Sequence, residues 1–246
     1  MHDLNYIGPR IIVKFDNGIY ITETVFWGAI VAVVLIVLAL WCANNLQQAP
    51  KGKQVVAELV VTTIYNLVVS TMGKRCESFA PYMGSLFLFL ILGNMLGLIG
   101  FRPTTADVNM TFALAGTTFI LIQYNGFRTM GFVGKLKHMA EPLPFMVPLK
   151  IIEDISFPIS LGFRLFGNIL GGVIIMALVF NALEYVTELI LGGVPLIGQI
   201  PWLQAVIPLP FNLFFDVFEP ILQAFIFTML TMVFVSMAVV SHAEHE

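Results

Sequence analysis

Arg164, Asp216, Glu219 and Gln223 are the residues whose type and spacing point to chemistry. Arg164 stands inside the apolar stretch 151–180. A guanidinium does not give up its proton in proteins, and placing one in a membrane costs about 2.5–3.5 kcal/mol on insertion scales. At about 100° per residue of helix, Ser160 lies one turn before it, Asn168 one turn after, and Glu153 on nearly the same face. Gly167, Gly171 and Gly172 flank the charge on that side. Farther along, Asp216, Glu219 and Gln223 fall at i, i+3 and i+7, again one face of a helix. Intramembrane carboxylates at that spacing point to an ion path.

Plainer readings stand beside these. The glycines also suit ordinary close helix packing. Asp216 and Glu219 also suit a membrane interface, where charge is cheap. Arg164 also suits a structural ion pair. Asp107, directly before Val108, is placed to cap a helix.

The elements that position these groups are membrane helices. The chain is 58% hydrophobic and 11% charged, where soluble domains carry about 25% charged residues. Its mean hydropathy is +0.90. The expected fold is all-α and polytopic, with five transmembrane helices and one amphipathic interfacial helix. An external segment, 1–23, precedes a first span at 24–43, too long for the apolar core of a signal peptide. A cytoplasmic loop with the interfacial helix covers 44–78. Two spans occupy 79–127 and a second cytoplasmic loop 128–148. A long tilted helical hairpin, 149–241, carries the ion path, and a tail follows at 242–246. Its first helix holds about 40 residues and so runs about 60 Å, twice the hydrocarbon thickness. It must tilt, break or leave the bilayer.

Lysine and arginine set the orientation. Lys51, Lys53, Lys74, Arg75, Arg128, Lys135, Lys137 and Lys150 gather in the loops around 44–78 and 128–150. Those loops are expected inside, with the N-terminus outside and the C-terminus cytoplasmic. Cys42 and Cys76 have neither metal-ligand spacing nor a disulfide framework. No phosphate-binding loop, dinucleotide fingerprint or zinc-protease motif is present. Neither a cofactor nor a metal is expected, and nucleotide chemistry would have to occur on another chain.

Four ordered segments carry a resemblance. Pro158-Ile-Ser-Leu-Gly-Phe-Arg164-Leu-Phe-Gly-Asn168 resembles the signature of subunit a of F-type ATP synthases. Leu222-Gln223-Ala-Phe-Ile-Phe-Thr-Met-Leu-Thr231 is similar to the family's final-helix motif. Ala106-Asp107-Val-Asn-Met-Thr111 and Gly93-Asn94-Met-Leu-Gly-Leu98 resemble two more. The resemblance implies a stator beside a rotating c-ring, offering two offset half-channels for H⁺ or Na⁺. Its partners would be the c-ring, the peripheral-stalk b subunits, the remaining synthase subunits and membrane lipid, with no nucleic acid. The family's obligatory arginine corresponds to Arg164, its neighbouring polar position to Asn168 and its final-helix glutamine to Gln223. Asp107 and Asp216 correspond to the outer pathway. Gly167, Gly171 and Gly172 would let the rotor approach, and Ser160 would be a polar step beside the arginine.

The sequence departs from the family at two points. Val173 stands where many members carry Glu or His, which leaves Glu219 as a substitute. Lys150 stands where many carry Glu, which shifts the inner pathway to Glu153 or Asp154. Two other classes compete with this reading. A secondary transporter using Arg164 to bind an anion would usually show two related halves, and no internal repeat is evident. A membrane scaffold leaves Arg164, Asp216 and Gln223 without a purpose.

Overall fold

Residues 23–43 are apolar on every side after Glu23 and form one uninterrupted helix, α1 (Glu23–Ala43). Such a helix suits lipid better than water. The computed structural model describes residues 11–14, 20–44, 46–48, 50–140, 144–191 and 207–240. The expected loop at 192–201, the tail at 242–246 and the first ten residues lie outside them. Before α1 stands a feature the sequence reading did not contain. Strands β1 (Ile11–Lys14) and β2 (Tyr20–Thr22) pair antiparallel as a small hairpin.

Helix α2 (Lys53–Met72) leads through a 3₁₀ turn, Lys74–Phe79, into α3 (Ala80–Asn94). Two more 3₁₀ turns, Met95–Ile99 and Thr104–Ala106, bring the chain to α4 (Val108–Ala140). Helix α5 (Val147–Leu191) has 45 residues, about 67 Å at the α-helical rise. It is continuous through Pro158. Of the three ways to fit such a length, a break is therefore excluded. A short α6 (Pro208–Leu213) passes into a π-helical turn, Phe214–Phe218, and then into α7 (Glu219–Val240).

Five segments are long and apolar enough to cross a membrane: Glu23–Ala43, Lys53–Met72, Lys74–Ile99, Val147–Leu189 and Pro208–Val239. The chain is an all-α integral membrane protein. The set rests on length and composition alone, and it departs from the sequence reading at two helices. Helix α2, expected at the interface, reaches the required hydropathy. Helix α4, expected to span, falls short of that hydropathy because Asn109, Thr117, Thr118, Gln123 and Asn125 dilute its apolar residues, yet its part before Gly131 is long enough to cross at about 1.5 Å per residue. A second difference concerns 128–148, expected as a loop. The helix continues to Ala140 with a single interruption at Gly131, whose φ of 68° and ψ of 173° turn the chain sharply. A side chain tolerates that φ poorly, which accounts for glycine there.

Two apolar clusters hold the bundle. Val68, Met72, Cys76, Ala80 and Met83 meet Met232 and Val235, joining α2, α3 and α7. Leu86, Leu90 and Ala115 meet Leu161, Leu165, Ala224 and Phe227, joining α3, α4, α5 and α7. Helix α1 sits at the edge, burying only the stripe Thr24, Gly28 and Val31. Its two tryptophans have different surroundings. Trp27 stacks on Phe101 with centroids 4.0 Å apart. Trp41 lies under the Lys53 ammonium, 4.6 Å from the ring centroid.

Candidate functional site

Helix α5 divides its residues cleanly between two faces. Leu161, Gly162, Leu165 and Gly172 are buried. Ser160, Arg164 and Gly167 are exposed, and Asn168 and Gly171 are half-buried. Nothing lies within 4 Å of where a Cβ would stand on Gly167 or Gly171. Among the described residues, no side chain makes a hydrogen bond or ion pair with Arg164. The cation therefore stands on an open face next to two glycines. Gly172 belongs elsewhere. A Cβ there would lie 3.0 Å from Phe215, so this glycine serves the docking of α5 on the π-helical turn.

That turn has a local cause. Pro220 has no N–H to return to the Asp216 carbonyl, and its ring crowds that oxygen in a regular helix. A single wide turn relieves the conflict, and such turns occur frequently at functional sites. It also changes the geometry expected at 3.6 residues per turn. Glu219 and Gln223 remain together on α7 at i and i+4. Asp216 lies inside the wide turn, one element earlier. Its Oδ1 comes within 3.9 Å of the Cβ position of Gly97, beside Pro103. Glu219 Oε1 and Gln223 Oε1 are buried, and neither has a hydrogen-bond partner among the described residues. Buried acceptors are nearly always paired, so two orphans on one face are unusual.

The Asp216 end of the bundle holds a second polar group. Asp107 is 2% exposed. Its Oδ1 accepts the Asn109 N–H at 3.0 Å, capping α4 as its position suggested. Its Oδ2 accepts the hydroxyls of Thr24 at 2.8 Å and Thr22 at 3.3 Å. Next to it, the Thr105 hydroxyl donates to Asn94 Oδ1 at 2.5 Å. Thr104 is wedged against Gly93 of α3 and lies 3.8 Å from the Cβ position of Gly28 on α1. Thr22, Thr24, Asn94 and Thr105 were not legible as site residues. Thr22 and Thr24 stand far from Asp107 in sequence, and a threonine or asparagine near a helix end has many ordinary uses.

The opposite end contains Asp154 and Glu153. Glu153 is exposed and Asp154 half-buried. Asp154 Oδ2 accepts the Gln123 Nε2 amide at 3.2 Å. The Lys135 ammonium in turn donates to Gln123 Oε1 and lies 4.3 Å from the Phe127 ring centroid. Burial draws the Lys135 ammonium below the usual lysine range, and the nearby Asp154 carboxylate works against that shift. Pro158 leaves the Asp154 carbonyl without its helical donor, so a backbone oxygen is also free of its usual partner there. Gln123 and Lys135 escaped the sequence reading. A lysine in a basic stretch reads as solvated, and only the turn at Gly131 carries it back onto α4.

Comparison with known proteins places the whole chain. The ATP synthase A chain family matches residues 25–236. ATP synthase subunit a of Trichlorobacter lovleyi is 36% identical over 210 residues, covering 83% of this chain and 82% of the relative. The Moorella thermoacetica subunit a is 32% identical over 227 residues, covering 91% and 93%. The Propionigenium modestum protein, described as sodium ion specific, is 30% identical over 254 residues, covering 96% and 79%. The arginine that has no partner among the described residues, beside two open glycines on a helix inside the matched region, thus belongs to a chain of the ATP synthase subunit a family.

Proposed function

We propose that this chain is the stator through which H⁺ or Na⁺ reaches and leaves the carboxylates of a rotor ring, coupling an ion gradient to rotation and ATP synthesis. The observation that carries this is Arg164, exposed and without a partner among the described residues, on a face bare enough for another helix to approach. A rotor carboxylate travels neutral through lipid because a bare charge there is costly. Opposite Arg164 it ionises, since a neighbouring cation favours the charged form. The same cation repels an ion that would leak straight across. Each charge moved through 100 mV supplies about 2.3 kcal/mol, so several ions are needed per product.

The two polar ends supply the offset. Asp107 and Asp216 with their threonines line the outer approach. Asp154 with Gln123 lines the inner one. The unpaired oxygens of Glu219 and Gln223 stand available to an ion or a rotor hydroxyl between them. The basic loops lie in the cytoplasm of a bacterial cell and the N-terminus outside. The rotor ring covers the Arg164 face, and the peripheral-stalk b subunits hold the chain still.

Substitutions at four residues test this. In vesicles carrying the intact complex, Asp216→Asn slows ATP-driven ion pumping more than Glu219→Gln. Equal, negligible effects would remove both carboxylates from the path. Gly171→Ala leaves the chain folded, because its Cβ meets nothing in this chain, yet it lowers coupled transport because the rotor packs there. Gly172→Val instead lowers the amount of folded chain, because Phe215 occupies the space. Protease resistance in membranes, measured beside pumping, separates the two outcomes. A Gly171→Ala variant with normal pumping would argue against close rotor contact at that position.

A further inference from the structure

The turn at Gly131 folds the last part of α4 back so that Lys135 reaches its own helix, and the contacts there have a fixed polarity. An ammonium has three donors and no acceptor. It therefore holds the carbonyl oxygen of Gln123 and forces the amide nitrogen to the other side, toward Asp154. The reverse orientation would set donor against donor at Lys135 and acceptor against acceptor at Asp154. An amide nitrogen only donates, so the carboxyl oxygen facing it must accept. Gly126 makes room for this arrangement, with the Lys135 ammonium 3.4 Å from its Cβ position. Phe127 stacks with Phe132 across the turn, centroids 6.0 Å apart, and holds the returning segment in place.

We propose that Lys135 is a positioning residue of the inner ion path: acting through Gln123, it holds Asp154 as a carboxylate with one oxygen engaged and the other free to take the incoming ion. The inference rests on the stator reading above and selects Asp154 over Glu153 as the inner carboxylate. Glu153 is exposed and has no such partner among the described residues. Other titratable groups near this end of the two helices are Lys150 and Glu153 on α5, and Tyr124, Arg128, Lys137 and His138 on α4. Glu153, Tyr124 and Arg128 are exposed, and Lys150 is half-buried. Lys135 is distinguished by its link to Asp154 through the amide. With Lys135 replaced by Met, the amide is free to turn its oxygen toward Asp154, which then favours the protonated acid.

The test uses the intact complex in vesicles, with ATP-driven pumping followed against pH on the ATP side. For Lys135→Met, the pH at which pumping falls to half rises by about one unit, the scale on which loss of one neighbouring charge acts. In a sodium-coupled complex, the same change shows as a higher Na⁺ concentration for half-maximal pumping at fixed pH. Lys135→Arg restores the wild-type profile. Lys135→Met moves the pH at half-pumping while leaving the maximal rate at the favourable pH near wild type, which a merely structural role of Lys135 would not produce. An unchanged profile in Lys135→Met, or a uniform loss of pumping at every pH, overturns the proposal. Arg164→Ala, run alongside, tests the underlying reading separately: it should abolish coupled pumping at every pH. Survival of pumping in that variant would overturn the stator reading itself.

Discussion

Arg164→Lys is expected to reduce coupled ion transport to background, by roughly two orders of magnitude or more, the scale felt when a preorganised charge-stabilising group is lost. The complex should remain assembled. The reason is physical, since both residues are cations. Lysine concentrates its charge on a hydrated ammonium and shifts its pKa readily when a partner helix covers it, whereas arginine stays charged under any burial. Among the described residues no carboxylate holds Arg164, so its charge is available to whatever arrives at its face. Quantifying the chain in purified complex, together with ATP-driven pumping and passive ion conduction, checks the prediction. Normal pumping by a fully assembled Arg164→Lys complex would sink the assignment.

The second large effect is on stability. Gly93→Ala places a Cβ onto the Thr104 side chain, far inside normal contact distance. Glycine to alanine within a helix ordinarily stabilises by about 0.5–1 kcal/mol, so the clash decides the sign here. Overpacking of this kind costs about 1–3 kcal/mol. Thr104 holds the turn Thr104–Ala106 against both α1 and α3. Pushing it out also displaces Asp107 at the start of α4. Gly93→Ala is therefore expected to lower the thermal midpoint of the detergent-purified complex and to slow pumping together with it. Adding Thr104→Ala removes the obstructing hydroxyl and methyl groups and recovers both. Failure of that second substitution to help would place the damage elsewhere than at this contact.

Much of this protein was legible from the chain alone because membrane physics is local. Hydropathy over some twenty residues, and one arginine in an apolar run, need no knowledge of neighbours. The long helix Val147–Leu191 followed from its unbroken apolar pattern. The shared face of Ser160, Arg164 and Gly167 followed from 3.6 residues per turn.

Where that period is interrupted, the sequence says less. Pro220 widened the turn at Phe214–Phe218, where Asp216 stands beside Gly97. Gly131 turned a basic stretch back on itself and delivered Lys135 to Gln123.

The sequence by itself determined that the chain lives in a membrane and that Arg164 shares a helix face with Ser160 and Gly167. Both depend on solvation free energy and helix periodicity, which act over a few turns. Only the tertiary structure decided which polar groups meet. The pairs Asp107 with Thr24, Asp154 with Gln123 and Gly172 with Phe215 join residues on different elements. Such contacts depend on how helices pack and where a single glycine or proline redirects the chain, and no local pattern encodes them.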